Sequence, residues 1–287
     1  MSVLSELVSL LELERLEVNL FRGQSQNLGW DRVFGGQVLG QALSAADQTV
    51  DGSRVAHSLH AYFLRPGDVR RPIVYEVDRI RDGSSFTTRR VVAIQGGQPI
   101  FHLSVSYQVR EEGLSHFTDM PEVPPPEDLV SDQVLAKRIE DRLPPAIRQI
   151  AFAERPIETR PVEPYEIERP ENPEPRRLIW YRAVGELPDV DTLHRQMLAY
   201  ASDFHFIGTA LQVHNKSWLQ PNMQVASLDH AMWFHRPFRM DEWLLYAIDS
   251  PSTSGARGLV RGQFFSRDGT LVASTMQEGL IRRIPKR

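Results

Sequence analysis

Two stretches of this chain repeat each other, and the repetition restricts its fold more than any other feature. The first holds HSLHAYFLRPGDVRRPIVYEV, then FTTRRVVAIQGGQPIFHLSVSYQV; the second holds ASLDHAMWFHRPFRMDEWLLYAI, then ARGLVRGQFFSRDGTLVASTMQEGLI. Each opens on a strand ending in Arg-Pro, at Arg65-Pro66 and Arg236-Pro237. Each closes on a long hairpin, turning near Gly96-Gly97 and Asp268-Gly269. Asp-Gly between alternating apolar runs is a strong hairpin signal. Matching residues keep a nearly constant spacing, as a duplication requires.

A helix is predicted ahead of each strand block, over VFGGQVLGQALSAADQ in the first half and LAYASDFHFIGTALQ, residues 198–212, in the second. Strands are predicted before these helices, at Leu16–Gly23 and Leu178–Val184. Each half is then one helix on one curved antiparallel sheet, an α+β unit. The opening MSVLSELVSLLELERL has the pattern of a short amphipathic helix, with no basic start to suggest a signal peptide. Of 20 prolines, 12 fall between Pro121 and Pro175, in an acidic, polar stretch that has the character of a linker. A short helix is expected inside it near Val134–Arg142. The expected organisation is an N-terminal domain over 1–115, a proline-rich linker over 116–175 and a C-terminal domain over 176–287.

Composition excludes several classes of function. Net charge is −4 with no long basic run, so nucleic acid is not an expected partner. With no cysteine, disulfides, cysteine zinc sites and cysteine nucleophiles are excluded, and a reducing compartment fits. No apolar segment is long enough to span a bilayer, and the ending IRRIPKR is not a peroxisomal address. A cytoplasmic location is expected.

The duplication also permits an internal comparison. Laying Tyr200-Ala-Ser on Phe34-Gly-Gly puts Asp203 opposite Gln37. Superposing the Arg-Pro pairs puts Ser227 opposite Ala56, and the last hairpins put Gln277 opposite Val105. Gln277 therefore stands in a row that is apolar in the first copy, where Phe101, Leu103 and Val105 alternate. Buried polar groups demand partners, and Asp203, Ser227 and Gln277 could partner one another. Each also has a plainer reading: a carboxylate capping a helix start or pairing with His205 or an arginine, and a hydrogen-bonding serine at a strand end. Together they suit the handling of water. A desolvated carboxylate has a raised pKa, nearer the range of a general base, while a hydroxyl and an amide can orient the water. Backbone N–H groups at a helix N-terminus near Asp203 would stabilise an oxyanion.

Other chemistries find less support. There is no G-x-S-x-G elbow, and His230 is expected to face away from Ser227. Phosphate loops and dinucleotide fingerprints are absent. In HSLH, residues 57–60, the two imidazoles of a strand face opposite ways, so no metal site is expected.

The blocks LFRGQ, VFGGQVLGQAL, LHAYFLRPGD, RDGSSF, RRVVAIQ, YASD, DHAMWFHRPF, EWLLY, VRGQFF and LVASTMQEGLIR strongly resemble the bacterial acyl-CoA thioesterase II (TesB) family. The resemblance covers both halves and is weakest in the proline-rich middle. It implies a tandem (double) hotdog, with two long helices packed on a continuous curved antiparallel sheet. It also implies hydrolysis of fatty acyl-CoA without a covalent acyl-enzyme or a cofactor, and assembly into dimers or tetramers. The family's catalytic Asp, Thr and Gln fall on Asp203, Ser227 and Gln277; the usual Thr is Ser here, which keeps the hydroxyl and loses χ1 restriction. An acyl slot would draw on Phe204, Phe206, Trp233 and Phe234. Coenzyme A phosphates would draw on Arg65, Arg89, Arg90, Arg257 or Arg261. Rival readings are a hotdog enoyl-CoA hydratase and a non-catalytic acyl-CoA-binding protein. The hydratase typically needs a His five residues after its Asp, where this chain has Gly208.

Overall fold

The two strand blocks meet in one continuous antiparallel sheet. The structure, a computed structural model, describes residues 1–29, 31–143, 148, 151–164, 174–217, 220 and 222–284. In the first half, β1 (Glu14–Glu17), β2 (Leu20–Gly23), β3 (Arg54–Phe63), β4 (Ile73–Asp82), β5 (Phe86–Gln95) and β6 (Gln98–Val109) surround helix α2 (Gly35–Asp47), with α1 (Val3–Leu11) ahead of them. The middle segment adds α3 (Asp132–Arg138) and β7 (Ile157–Pro161). The second half follows with β8 (Arg176–Ala183), α4 (Asp191–Ser202), α5 (Thr209–Gln212), β9 (Met223–Ser227), β10 (Asp229–Phe234), β11 (Leu244–Ser254), β12 (Arg257–Ser266) and β13 (Leu271–Arg283).

The strand order is β1-β2-β4-β5-β6-β3-β10-β13-β12-β11-β8-β7, with β9 beside β13. The runs β2-β4-β5-β6-β3 and β8-β11-β12-β13-β10 mirror each other across the seam between β3 and β10, where His230 pairs with Ala61. Their registers match as well. Ala56 faces Tyr107 across β3–β6, and Ser227 faces Gly279 across β9–β13. Val105 and Gln277 occupy equivalent positions in β6 and β13, and both are buried. The fold is a double hotdog.

Helices α2 and α4 lie side by side on one face of this sheet and share its core with Tyr75, Val91, Leu103, Val105, Tyr246 and Phe264. Their backbones touch. A Cβ on Gly36 would stand 2.1 Å from the Tyr200 carbonyl oxygen, so only glycine permits this approach.

Three local expectations are corrected. Residues 198–212 are not one helix. α4 ends at Ser202, Asp203 is its C-terminal cap, and His205 adopts a left-handed φ of +61° before the short α5. Two sheet tyrosines hold this end from beneath: Tyr246 donates to the Ser202 carbonyl at 3.1 Å and Tyr181 to the Phe204 carbonyl at 3.2 Å. They satisfy carbonyls that a helix end leaves unpaired. Second, Leu16–Gly23 is not one strand: Glu14–Glu17 and Leu20–Gly23 turn back on each other as a hairpin. Third, aligning the helices at their first turns sets Gly35 on Asp191 and Asp47 on Asp203. The match of Asp203 to Gln37 had slipped because residues 203–222 separate α4 from its strands, where residues 48–53 suffice after α2.

The proline-rich segment is more than a tether. Met120, Val123 and Leu129 cover an outer cluster of Trp180, Trp243, Leu245 and Phe265 on the far face of the second-copy strands. Trp180 donates its indole N–H to the Pro124 carbonyl at 3.0 Å. α3 begins where a helix was expected, and β7 extends the sheet beside β8. No helix among the described residues is long and apolar enough to cross a membrane.

Candidate active site

Asp203, Ser227 and Gln277 come from three separate elements and meet at one carboxylate oxygen. Gln277 Nε2 donates to Asp203 Oδ1 at 3.0 Å, and Ser227 Oγ reaches the same oxygen at 3.5 Å. Each position has a local cause. The capped end of α4 points Asp203 toward the sheet. Alternation along β13 turns Gln277 inward with Thr275 and Ala273, all buried. Ser227 is the last residue of β9, at the break before β10.

The other oxygen of the carboxylate faces the first copy. A Cβ on Gly35 would stand 2.6 Å from Asp203 Oδ2, and the Gly36 amide donates to the carboxylate. Phe34 caps α2 without any side-chain hydrogen bond; the Gly36 amide turns to Asp203 instead, and the Gln37 and Val38 amides return to the Phe34 carbonyl. An N-terminus also carries the positive end of the helix dipole. The helix N-terminus beside Asp203 is therefore that of α2. Asp203 itself closes the C-terminus of its own helix, where carbonyls gather. Sequence reasoning missed these two glycines, although a Gly-Gly start with no capping side chain was a signal.

Burial raises the Asp203 pKa from 3.8 to about 6, against the opposing hydrogen bonds of Gln277, Gly36 and Ser227. Aromatic rings supply the apolar surroundings. Phe34 stacks on Phe204 with centroids 4.3 Å apart, and Phe63 approaches Gly35 beside the carboxylate.

The structure divides the candidate binding residues. Phe204 and Phe206 pack beside the site. Trp233 does not join them: it alternates with the buried Met232 and Phe234, faces the opposite side of β10, and meets the His60 ring edge-on. Phe234 lies farther along β10, stacked on Phe238. Arg89 is a structural residue, fully buried on Thr49 and Asp82. Arg90, Arg257 and Arg261 pair with Asp78, Glu278 and Asp249 at the surface. Arg65 donates to the Pro99 carbonyl. His230 does not face away from Ser227. The break at Leu228 between β9 and β10 changes the alternation, and His230 is buried on the same side.

Two hotdog units joined through one sheet, with a buried carboxylate, an amide and a hydroxyl gathered where they meet, place the chain in the hotdog class. Comparison with known proteins gives the family. A family model described as acyl-CoA thioesterase matches residues 148–280, and one described as acyl-CoA thioesterase N-terminal domain matches residues 24–108. Acyl-CoA thioesterase 2 of Haemophilus influenzae is 45% identical over 98% of both chains. Human acyl-coenzyme A thioesterase 8 is 42% identical over 97% of this chain and 89% of its own. The crystal structure of the acyl-CoA thioesterase II TesB2 from Mycobacterium marinum, 41% identical, superposes with a TM-score of 0.79 over 96% of this chain and 98% of its own. The chain belongs to the acyl-CoA thioesterase II family and is a thioester hydrolase.

Proposed function

We propose that the chain hydrolyses acyl-CoA to a free acid and coenzyme A, using Asp203 as general base on a water that Ser227 and Gln277 orient. One observation carries this reading: both polar side chains donate to a single oxygen of a desolvated carboxylate. Above its pKa of about 6, Asp203 accepts a proton from the water as the water oxygen bonds to the thioester carbon. The carbonyl oxygen gains negative charge, and the positive end of the α2 dipole at Gly35 stabilises it. Collapse breaks the C–S bond, and the departing thiolate takes the proton held by Asp203. No acyl-enzyme forms, because the hydroxyl of Ser227 points at the carboxylate, while the nearby His230 ring is engaged with Ser202 and Gln277 and not with Ser227.

Gly208 stands where a hydratase would place its histidine, which favours hydrolysis over hydration. The test follows free thiol released from a saturated acyl-CoA with a chromogenic reagent. Removing a general base typically costs roughly 10²–10⁴ in rate, about 3–5 kcal/mol. Asp203→Asn is expected to lose that much kcat while keeping its circular dichroism spectrum. Wild-type turnover by a folded Asp203→Asn variant removes Asp203 from the mechanism. Tight binding of acyl-CoA with no thiol released by the wild-type chain replaces this reading with a carrier.

A further inference from the structure

The strand pair that supplies Gln277 carries a third polar replacement, after Ser227 for Ala56 and Gln277 for Val105. Across β3–β6 of the first copy, Leu59 faces Val105, both fully buried. The equivalent pair in the second copy is His230 on β10 and Gln277 on β13, each 1% exposed. Burial pushes the His230 pKa down to about 3, so the ring is neutral and carries a single N–H. Its Nε2 lies 3.0 Å from Ser202 Oγ, on the residue just before Asp203. Its other nitrogen, Nδ1, and the Oε1 of Gln277 are both buried atoms without an aligned hydrogen-bond partner, and the two side chains interact.

The two tautomers differ in which buried acceptor they leave without a donor, because the single proton of the Ser202 hydroxyl can also go to the Ala199 carbonyl at 2.9 Å. With the proton on Nε2, the ring donates to Ser202 and turns a lone pair toward Gln277 Oε1. With the proton on Nδ1, the ring donates to Oε1 and accepts at Nε2 the Ser202 hydroxyl proton, which is then withdrawn from the Ala199 carbonyl of the same helix. The amide nitrogen of Gln277 is already committed to the Asp203 carboxylate, which can only accept. Its oxygen is therefore the atom that needs a donor, and an unpaired buried acceptor is costly.

We propose that His230, protonated on Nδ1, is a positioning residue that holds Oε1 of Gln277 and so keeps the amide's NH₂ turned toward Asp203. The proposal rests on the assignment of Gln277 to the water-handling site. His230 touches neither water nor substrate; it acts through the amide.

The test is a double-substitution cycle on the full chain, read by kcat and KM for thiol release. His230→Phe keeps an aromatic ring and removes both nitrogens. It is expected to lower kcat by about tenfold or more with KM changed by less than about twofold. In a Gln277→Ala background the same change is expected to alter kcat by less than about twofold. His230→Asn, whose amide nitrogen takes the place of Nδ1, is expected to retain more activity than His230→Gln, whose amide takes the place of Nε2. Long-range ¹H–¹⁵N spectra of the wild-type chain are expected to report the Nδ1–H tautomer. Equal losses from His230→Phe with and without Gln277 overturn the proposal, as does an Nε2–H tautomer. If Gln277→Ala lowers kcat and His230→Phe does not, this inference fails while the proposed function stands. If Gln277→Ala leaves kcat unchanged, both fail. Should His230→Phe not fold, the Asn and Gln variants and the spectra still decide.

Discussion

Each copy of the duplicated unit buries one carboxylate at the end of its helix, and the two make an instructive pair. Asp47 closes α2 and Asp203 caps α4. Burial raises both from 3.8 to about 6. Each accepts from an amide and a hydroxyl: Gln196 and Tyr107 for Asp47, Gln277 and Ser227 for Asp203. The difference lies in which oxygens are engaged. Tyr107 takes Oδ1 of Asp47 and Gln196 takes Oδ2, each at 2.7 Å, with the Arg195 guanidinium close by. Both donors of the second copy share Oδ1 of Asp203, and Oδ2 is left toward two glycines. Similar groups thus tie down both oxygens of Asp47 with side chains and leave one edge of Asp203, the one we propose to be reactive, to the backbone of the other copy. A raised pKa does not separate the two cases; the distribution of donors over the two oxygens does.

The sharpest way to break this contrast is to neutralise each carboxylate in turn. Asp203→Asn is expected to lose roughly 10²–10⁴ in kcat, whereas Asp47→Asn should keep kcat within about threefold of the wild type. A comparable collapse from Asp47→Asn, in a folded variant, ends the distinction. Next in size is Gly35→Ala, whose methyl would stand 2.6 Å from Asp203 Oδ2. It should lower kcat by about tenfold or more while melting close to the wild type, because it crowds the reactive edge more than the core.

The pH dependence refines the comparison further. Activity should rise with pH through a midpoint of about 6 as Asp203 loses its proton. The contribution of the two carboxylates to stability runs in the opposite sense. Both carboxylates have folded pKa values above the unfolded ones, so the native state binds more protons in between. Their favourable contribution is complete below about 3.8 and is lost as pH rises through about 6. Burial lowers the pKa of His57, His194, His230 and His235, which acts in the opposite sense. The readout is therefore a difference: in denaturant unfolding between pH 4 and 7 the wild type should lose stability relative to Asp47→Asn. An equal slope in the variant removes Asp47 from the account. The smallest effect is expected from Ser227→Thr, which keeps the hydroxyl and should leave kcat within about threefold.

The sheet was largely legible from the sequence and the helix ends were not, for physical reasons. Hairpins announce themselves locally: Gly96-Gly97 and Gly269 adopt the positive φ that their turns require. Once two hairpins align, strand periodicity fixes which side chains share a face, and that placed Gln277 in the row of Val105. The end of α4 is set by Tyr181 and Tyr246, which are close only in the folded sheet. Residues 198–212 keep a helical apolar pattern through that break, so periodicity alone carried the helix too far. His230 was assigned to the wrong face because the interruption at Leu228 leaves no mark in composition. Gly35 and Gly36 were legible as a loose helix start, but their partner lies in the other copy.

The seam between β3 and β10 carries a consequence for how such a protein can change. The amide that faces Asp203 belongs to the ancestral twin of the unit that bears it. The first copy thus serves as a wall for the carboxylate of the second. A C-terminal half without its twin would leave Asp203 without the Gly36 amide and with that side uncovered.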